Sequence, residues 1–170
     1  MSEPAVRRAA EDDIPSIRDL EEEAFGFTWD HQTFEKELTR DNGATVVLEF
    51  QGEVIGSALL VWAAEEVQLN SIVLHPTARG SGHSRPFLGR LMAWCRTEGF
   101  HWITLEVKWN NPPAHALYRG LGFVTTARRK AYYRDGQDAR IMWAGDLRSA
   151  EFGELLDPYL GDGLQLRRVS

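Results

Sequence analysis

The stretch Pro76-Thr77-Ala78-Arg79-Gly80-Ser81-Gly82-His83-Ser84-Arg85 carries residue types suited to holding an anion. It follows an apolar, β-branched run that ends at Leu74 and His75, and it precedes an amphipathic run that begins near Ser84. A helix starting there offers unpaired N–H groups and about half a positive charge at its first turn. Gly80 and Gly82 let a diphosphate approach the main chain, while Arg79 and Arg85 add charge-assisted donors that an uncharged turn lacks. Two familiar phosphate motifs fit badly: no Gly-Lys-Ser/Thr closes the stretch as in a P-loop, and the third glycine of the dinucleotide fingerprint is missing. Read alone, Arg-Gly-Ser-Gly is equally an ordinary tight turn.

Such a turn needs a strand before it and a helix after it, and both are written in the pattern. Val67 to Leu74 reads as a strand. From Ser84 to Glu98, Phe87, Leu88, Leu91, Met92 and Cys95 recur at helical spacing, and Gly99 ends the run. Pro86 falls in the first turn of that helix, where its missing N–H costs nothing. Upstream, Asp12 or Asp13 is expected to cap a helix that buries Ile17, Leu20, Ala24 and Phe25, and Trp29 to Leu38 reads as a second helix. Ala44–Phe50 and Glu53–Trp62 read as a hairpin closed by Gln51 and Gly52. Downstream come a strand over Trp102–Val107, a helix over Pro112–Gly120, and strands over Phe123–Arg128 and Ala139–Ala144. The order is helices, three strands, helix, strand, helix, two strands. Strands and helices alternate only in the second half, which predicts an α/β fold with a mixed sheet flanked by helices rather than a doubly wound parallel one. Residues 1–148 are expected to form one domain, and 149–170, with glycines, a proline and no sustained period, a flexible tail.

Composition narrows the class. A chain of 170 residues with 43% apolar content suits one packed domain. The net charge of −6 speaks against a broad nucleic-acid partner, because that affinity rests on neutralising phosphates. Met1 to Ala10 has no apolar stretch for a signal peptide or membrane span, so a cytoplasmic protein is expected. The single cysteine, Cys95, sits among apolar residues and reads as core. His31, His75, His101 and His115 show no paired spacing and read as surface or loop residues, so no metal is expected.

Five ordered motifs, S-I-V-L-H-P (71–76), R-G-S-G-H-S (79–84), L-E-V-K (105–108), N-x-x-A-x-x-L-Y (111–118) and L-G-F (121–123), resemble the GNAT family of N-acetyltransferases. W-D-H-Q-T-F (29–34), the L-E-V-K strand and Y-Y-R-D-G-Q-D-A (132–139) look most like the bacterial ribosomal-protein alanine N-acetyltransferases of the RimI type. The likeness spans about residues 5 to 147. It implies an acyl-CoA N-acyltransferase fold, a splayed mixed sheet in which main-chain groups of Ile72, Val73 and Leu74 pair with the pantetheine arm of acetyl-CoA as an added strand. Arg79, Gly80, Ser81, Gly82, His83, Ser84 and Arg85 would then hold the diphosphate, and Asn111 would touch the cofactor. The family usually has an aliphatic residue at the place of His83, Gly or Ala at Ser84 and no proline at Pro86; the His83 side chain is expected to point to solvent.

The resemblance also implies the roles of two residues. Glu106 corresponds to the proton acceptor of the L-E-V strand, and Tyr118 to the tyrosine that returns a proton to the departing thiolate. From residue chemistry alone, Glu106 reads as a solvated strand carboxylate and Tyr118 as a packing ring. His115, one turn before Tyr118, stays open to a role near the sulfur. Trp29, Phe34, Tyr132 and Tyr133 are candidates for lining an acceptor groove, with packing as the other reading. The implied partner is a protein or peptide N-terminus, such as that of a ribosomal protein. A small-molecule amine or a lysine is an alternative acceptor. A coenzyme-binding or partner-binding relic without activity is a further alternative, and the presence of both Glu106 and Tyr118 speaks against it.

Overall fold

The structure, a computed structural model, describes residues 3–161 and 163–168. The strands are β1 (Ala5–Arg8), β2 (Gly43–Phe50), β3 (Glu53–Ala63), β4 (Glu66–Leu74), β5 (Trp102–Lys108), β6 (Val124–Arg129) and β7 (Ala139–Gly145). They form one seven-stranded sheet in the order β1-β2-β3-β4-β5-β7-β6. Pairing is antiparallel for β1–β2, β2–β3, β5–β7 and β6–β7 and parallel for β4–β5, so the expected mixed sheet is present. The helices are α1 (Ile14–Phe25), α2 (His31–Leu38), α3 (Ser84–Thr97), α4 (Pro112–Gly120) and α5 (Ala150–Leu156). The chain packs as two units. One comprises the residues up to Trp62, Asn70–Phe87 and those from Gly161; the other comprises Ala63–Leu69 and Leu88–Leu160.

In the first unit, β2 and β3 form the expected hairpin. Gln51 and Gly52 both have positive φ, 52° and 81°, which is the geometry of a turn that matches the strands' twist. The core gathers Ala9, Ile14, Ile17, Phe34, Val47 and Leu59. Helix α1 buries Ile14, Ile17, Leu20 and Glu21, one turn short of the expected face, so that Ala24 and Phe25 are exposed. Asp13 is not a side-chain cap for α1. Its carboxylate instead accepts from Arg7 Nη1 and Nη2 at 2.7 and 2.9 Å and from the Ala10 N–H at 2.7 Å. Arg7 lies on β1, a strand the sequence reading missed, and its charged fork takes the carboxylate away from the helix. The first element among the described residues is therefore a strand and not a helix.

In the second unit, β5 pairs with β7 from Trp102↔Gly145 to Lys108↔Ala139, and β6 lies outside β7. The parallel ladder of β4 with β5 is short, running from Glu66↔Trp102 to Leu69↔Leu105. Leu88, Leu91, Met92 and Cys95 of α3 are fully buried together with Ile103, Leu121 and Met142. Helix α3 stops as expected at Gly99, φ 89°. There the Gly99 N–H reaches Arg96 O and the Phe100 N–H reaches Cys95 O, which satisfies two terminal carbonyls.

The segment expected to be a tail is largely built into structure. Ser149 Oγ accepts from the Phe152 N–H and caps α5, whose Phe152 and Leu156 are buried. A Cβ at Gly122 would stand 2.7 Å from the Phe152 ring, so the glycine of L-G-F gives that ring its seat as well as adopting φ 88°. Leu166 is fully buried in the first unit, and Arg8 donates to its carbonyl. Asp162, Val169 and Ser170 of that segment lie outside the described residues.

Candidate active site

The first unit carries the glycine turn expected to hold a diphosphate. The last residues of β4 approach β3 closely: a Cβ at Gly56 would fall 3.0 Å from Val73 O. After Leu74 the chain makes a short 3-10 turn, Pro76–Ala78, locked by the His75 ring, whose Nδ1 lies 2.7 Å from Thr77 Oγ1 and accepts from the Thr77 N–H at 3.2 Å. Gly80 and Gly82 follow with φ 74° and 79°, and an added Cβ would meet nothing within 4 Å at either. Glycine is thus required for backbone conformation and not for room. Gly80, Ser81, Gly82 and Arg85 are exposed, and α3 begins at Ser84 with the Phe87 N–H on His83 O. The hydrogen-bond ladder of α3 begins only at the Phe87 N–H, so the turn before it suits a diphosphate by donor chemistry and by open space.

Two residues of this segment behave differently from expectation. His83 is half-buried rather than turned to solvent, its ring 5.9 Å from that of Phe50, because β2 ends beside it. Arg79 is folded back: Nε donates to Leu74 O at 3.1 Å, and the two Nη groups engage both oxygens of Glu23 on α1. In the same unit Trp29 is 40% exposed, whereas Phe34 is fully buried beneath it, with ring centroids 5.4 Å apart. Phe34 therefore supports Trp29 from the core and offers no surface to an acceptor.

The second unit holds the proposed acid and base. On β5, alternation buries Leu105 and Val107 and turns Glu106 to the other face with its side chain 24% exposed. Arg129 Nη1 lies 4.0 Å from its carboxylate. The Tyr132 hydroxyl hydrogen-bonds to the same carboxylate, which raises the tyrosine pKa. Tyr133 stands edge-on to Tyr132 with centroids 5.2 Å apart; burial first, then the Glu106 charge, push its pKa up to about 12.

Tyr118 rides on α4, is 8% exposed and packs edge-on to Phe123 at 5.7 Å. Burial, and then Tyr133, push its pKa up to about 12, so the hydroxyl keeps its proton throughout the neutral range. Helix α4 is held at both its start and its middle. Asn111 Oδ1 accepts from the Ala114 N–H at 3.3 Å, and the buried His115 places Nε2 3.1 Å from Lys108 O, tying α4 to the end of β5. His115 is thus a brace, neither a surface residue nor a group free for the sulfur. Its signal in the sequence was only its place one turn before Tyr118. The structure therefore gathers Glu106, Tyr118, Tyr132 and Tyr133 within one unit, and it adds Arg129, which sequence reasoning did not single out.

Cys95 is buried in the core, and burial holds its thiol far above the usual range, so it is no nucleophile. Among the described residues, Glu11, His31 and Glu35 bring ligand atoms within 4.8 Å of one another. The spacing alone did not show this, since Glu11 comes from a separate turn; His31 and Glu35 are an exposed i,i+4 pair at 3.3 Å. No helix among the described residues is long and apolar enough to cross a membrane.

The model of the acetyltransferase (GNAT) family matches residues 14–123. A Bacillus subtilis protein described as a putative ribosomal protein bS18-alanine N-acetyltransferase is 30% identical over 141 residues, covering 82% of this chain and 93% of the relative. The crystal structure of the Escherichia coli ribosomal-protein-S18-alanine N-acetyltransferase superposes with a TM-score of 0.78 at 27% identity, over 88% of this chain and 97% of that one. A spermidine N-acetyltransferase variant from Vibrio cholerae reaches a TM-score of 0.79 at 20% identity over 90% and 99% of the two chains, a likeness of fold alone. With strand order, family motifs and these matches in agreement, the chain belongs to the GNAT family of N-acetyltransferases, enzymes that take their acetyl group from acetyl-CoA.

Proposed function

We propose that this enzyme acetylates a protein N-terminal α-amine, with an alanine-first ribosomal protein as its acceptor, and that Glu106 and Tyr118 are its base and acid. The observation that carries the reading is an electrostatic chain within one unit: the Glu106 charge acts on Tyr133, and Tyr133 in turn on the buried, firmly protonated Tyr118. Acetyl-CoA supplies an acetyl group already activated as a thioester. Gly80 to Arg85 would hold its diphosphate. Main-chain groups of Ile72, Val73 and Leu74, which lie beyond the last β4 residue paired with β5, would take the pantetheine arm, and Asn111 would touch it. Glu106 accepts the proton that an ammonium must lose before it can attack, and Tyr118 gives a proton to the departing sulfur. Trp29 and the Tyr132–Tyr133 pair would contact the acceptor.

Acceptor chemistry supports an α-amine. It titrates near ~7.8 against ~10.4 for lysine, so neutralising lysine at pH 7 costs roughly 3.5 kcal/mol more. A single carboxylate such as Glu106 meets the smaller demand. The names of the 30%-identical relatives point to the same acceptor class. The test is to incubate the protein with acetyl-CoA and a panel of alanine-first, other N-terminal and lysine peptides and polyamines, and to read mass gains. Alanine-first peptides are expected to gain one acetyl group at the N-terminus. Modification confined to lysine or polyamines would overturn the acceptor assignment.

A further inference from the structure

We propose that Glu23 is a positioning residue for the cofactor-holding turn, and that it acts by clamping Arg79. Arg79 immediately precedes Gly80, the residue at which the turn enters its left-handed geometry. Its guanidinium does not reach forward toward the glycines. It reaches back, with Nε on the last carbonyl of β4, Leu74 O at 3.1 Å, and both Nη groups on the two oxygens of Glu23.

Three donors of one planar group thus join the strand end, the turn and helix α1, and the two-point fit to a carboxylate fixes direction as well as distance. The turn also meets the neighbouring strands, through the His75 N–H on Ile55 O of β3 at 2.8 Å and the His83 ring against Phe50 of β2, while the hydrogen bonds within it are short-range. The Ala78 N–H reaches His75 O at 2.8 Å, the Arg79 N–H reaches Pro76 O at 3.3 Å, and Thr77 is held by the His75 ring. These three bonds stay within residues 75–79, whereas the Glu23–Arg79 pair ties the turn to helix α1. Both side chains are close to half exposed, at 43% and 46%, so the pair adds little to global stability. Its consequence is the orientation of Gly80 to Ser84. The geometry also gives Arg79 a role other than direct phosphate contact.

The inference rests on the reading that this turn holds the cofactor, and the experiment separates the two. Calorimetric CoA affinity, together with kcat and KM for acetyl-CoA, is measured at low salt for the parent, Glu23→Gln, Glu23→Asp, Gly82→Val and the neighbouring control Glu22→Gln. Glu23→Gln is expected to raise Kd and KM about two- to fivefold with kcat nearly constant, an effect that fades at high salt. Glu23→Asp should recover part of the loss, and Glu22→Gln should match the parent. Unchanged affinity in Glu23→Gln, with Gly82→Val weakened, overturns the clamp alone. Tighter binding in Glu23→Gln also overturns it, since Arg79 would then be a phosphate ligand that Glu23 restrains. CoA binding that Gly82→Val leaves untouched, or none by the parent, overturns the cofactor-turn reading and the clamp with it.

Discussion

Glu106 and Tyr118, the proposed base and acid, stand in contrasting environments within one unit. Glu106 keeps contact with solvent and with Arg129, whereas Tyr118 is buried and its hydroxyl is held protonated to about pH 12. Replacing Glu106 by Gln is expected to cut kcat about 100-fold or more at pH 7. Raising the pH past ~8 frees the α-amine without help, so the deficit should shrink there. Tyr118→Phe should lose about 10- to 100-fold in kcat at every pH from 6 to 9, because its hydroxyl does not titrate in that range. Steady-state rates across pH, with CoA affinity measured alongside, check both; parent-like rates in both variants would remove the assigned roles. Packing decides between readings that residue type leaves open. Phe34 sits in the aromatic W-D-H-Q-T-F run yet is fully buried, and His83 leans on Phe50. Neither fact has a signature in residue type.

At the scale of elements, α4 shows how a short helix can place one side chain. It has nine residues, begins with Pro112 and Pro113, and is capped by Asn111 and braced by His115. Losing the cap in Asn111→Ala is expected to cost about 1 kcal/mol in urea unfolding, and Asn111→Asp should restore it. If Asn111→Ala unfolds like the parent, the cap has no measurable weight. The same comparison separates capping from cofactor contact, since only the latter would raise KM for acetyl-CoA in both variants. The helix ends and hairpin were readable because turn chemistry is local: Gln51-Gly52 and Gly99 force particular backbone angles. Strand β1 was not, because Ala-Val-Arg-Arg is short and lacks alternation. Helix α5 was missed as well, although Ser149 three residues before Phe152 is a recognisable cap; Gly153 and Pro158 obscured the run.

For the whole molecule, stability should respond to pH from both sides. Arg7 holds Asp13 below the usual carboxylate range, and Arg148 holds Asp146 down to about 2. The unfolded chain takes up these protons near pH ~3.9 while the fold does not, so stability is lost as pH falls below that point. Glu21 acts in the opposite sense. It is 9% exposed, its Oε1 has no partner among the described residues, and burial raises its pKa to about 7, with the Thr28 hydroxyl pulling the other way. The fold keeps this proton after the unfolded chain has released it near ~4.3, so stability declines as pH rises from there to about 7. Glu21→Gln should therefore stabilise the protein by roughly 2 kcal/mol at pH 8 and leave it unchanged at pH 4. Urea titrations at the two pH values check this, and an equal effect at both would refute it. The amino-acid sequence by itself determined the order of most elements, the glycine turn before α3, and the family motifs, because periodicity and turn residues act over a few positions. The tertiary structure alone decided that Arg79 meets Glu23, Arg7 meets Asp13 and Glu49, and Phe152 meets Gly122. Periodicity tells a side chain which face to take, whereas its partner is set by strand order and register, which bring together residues far apart in the chain.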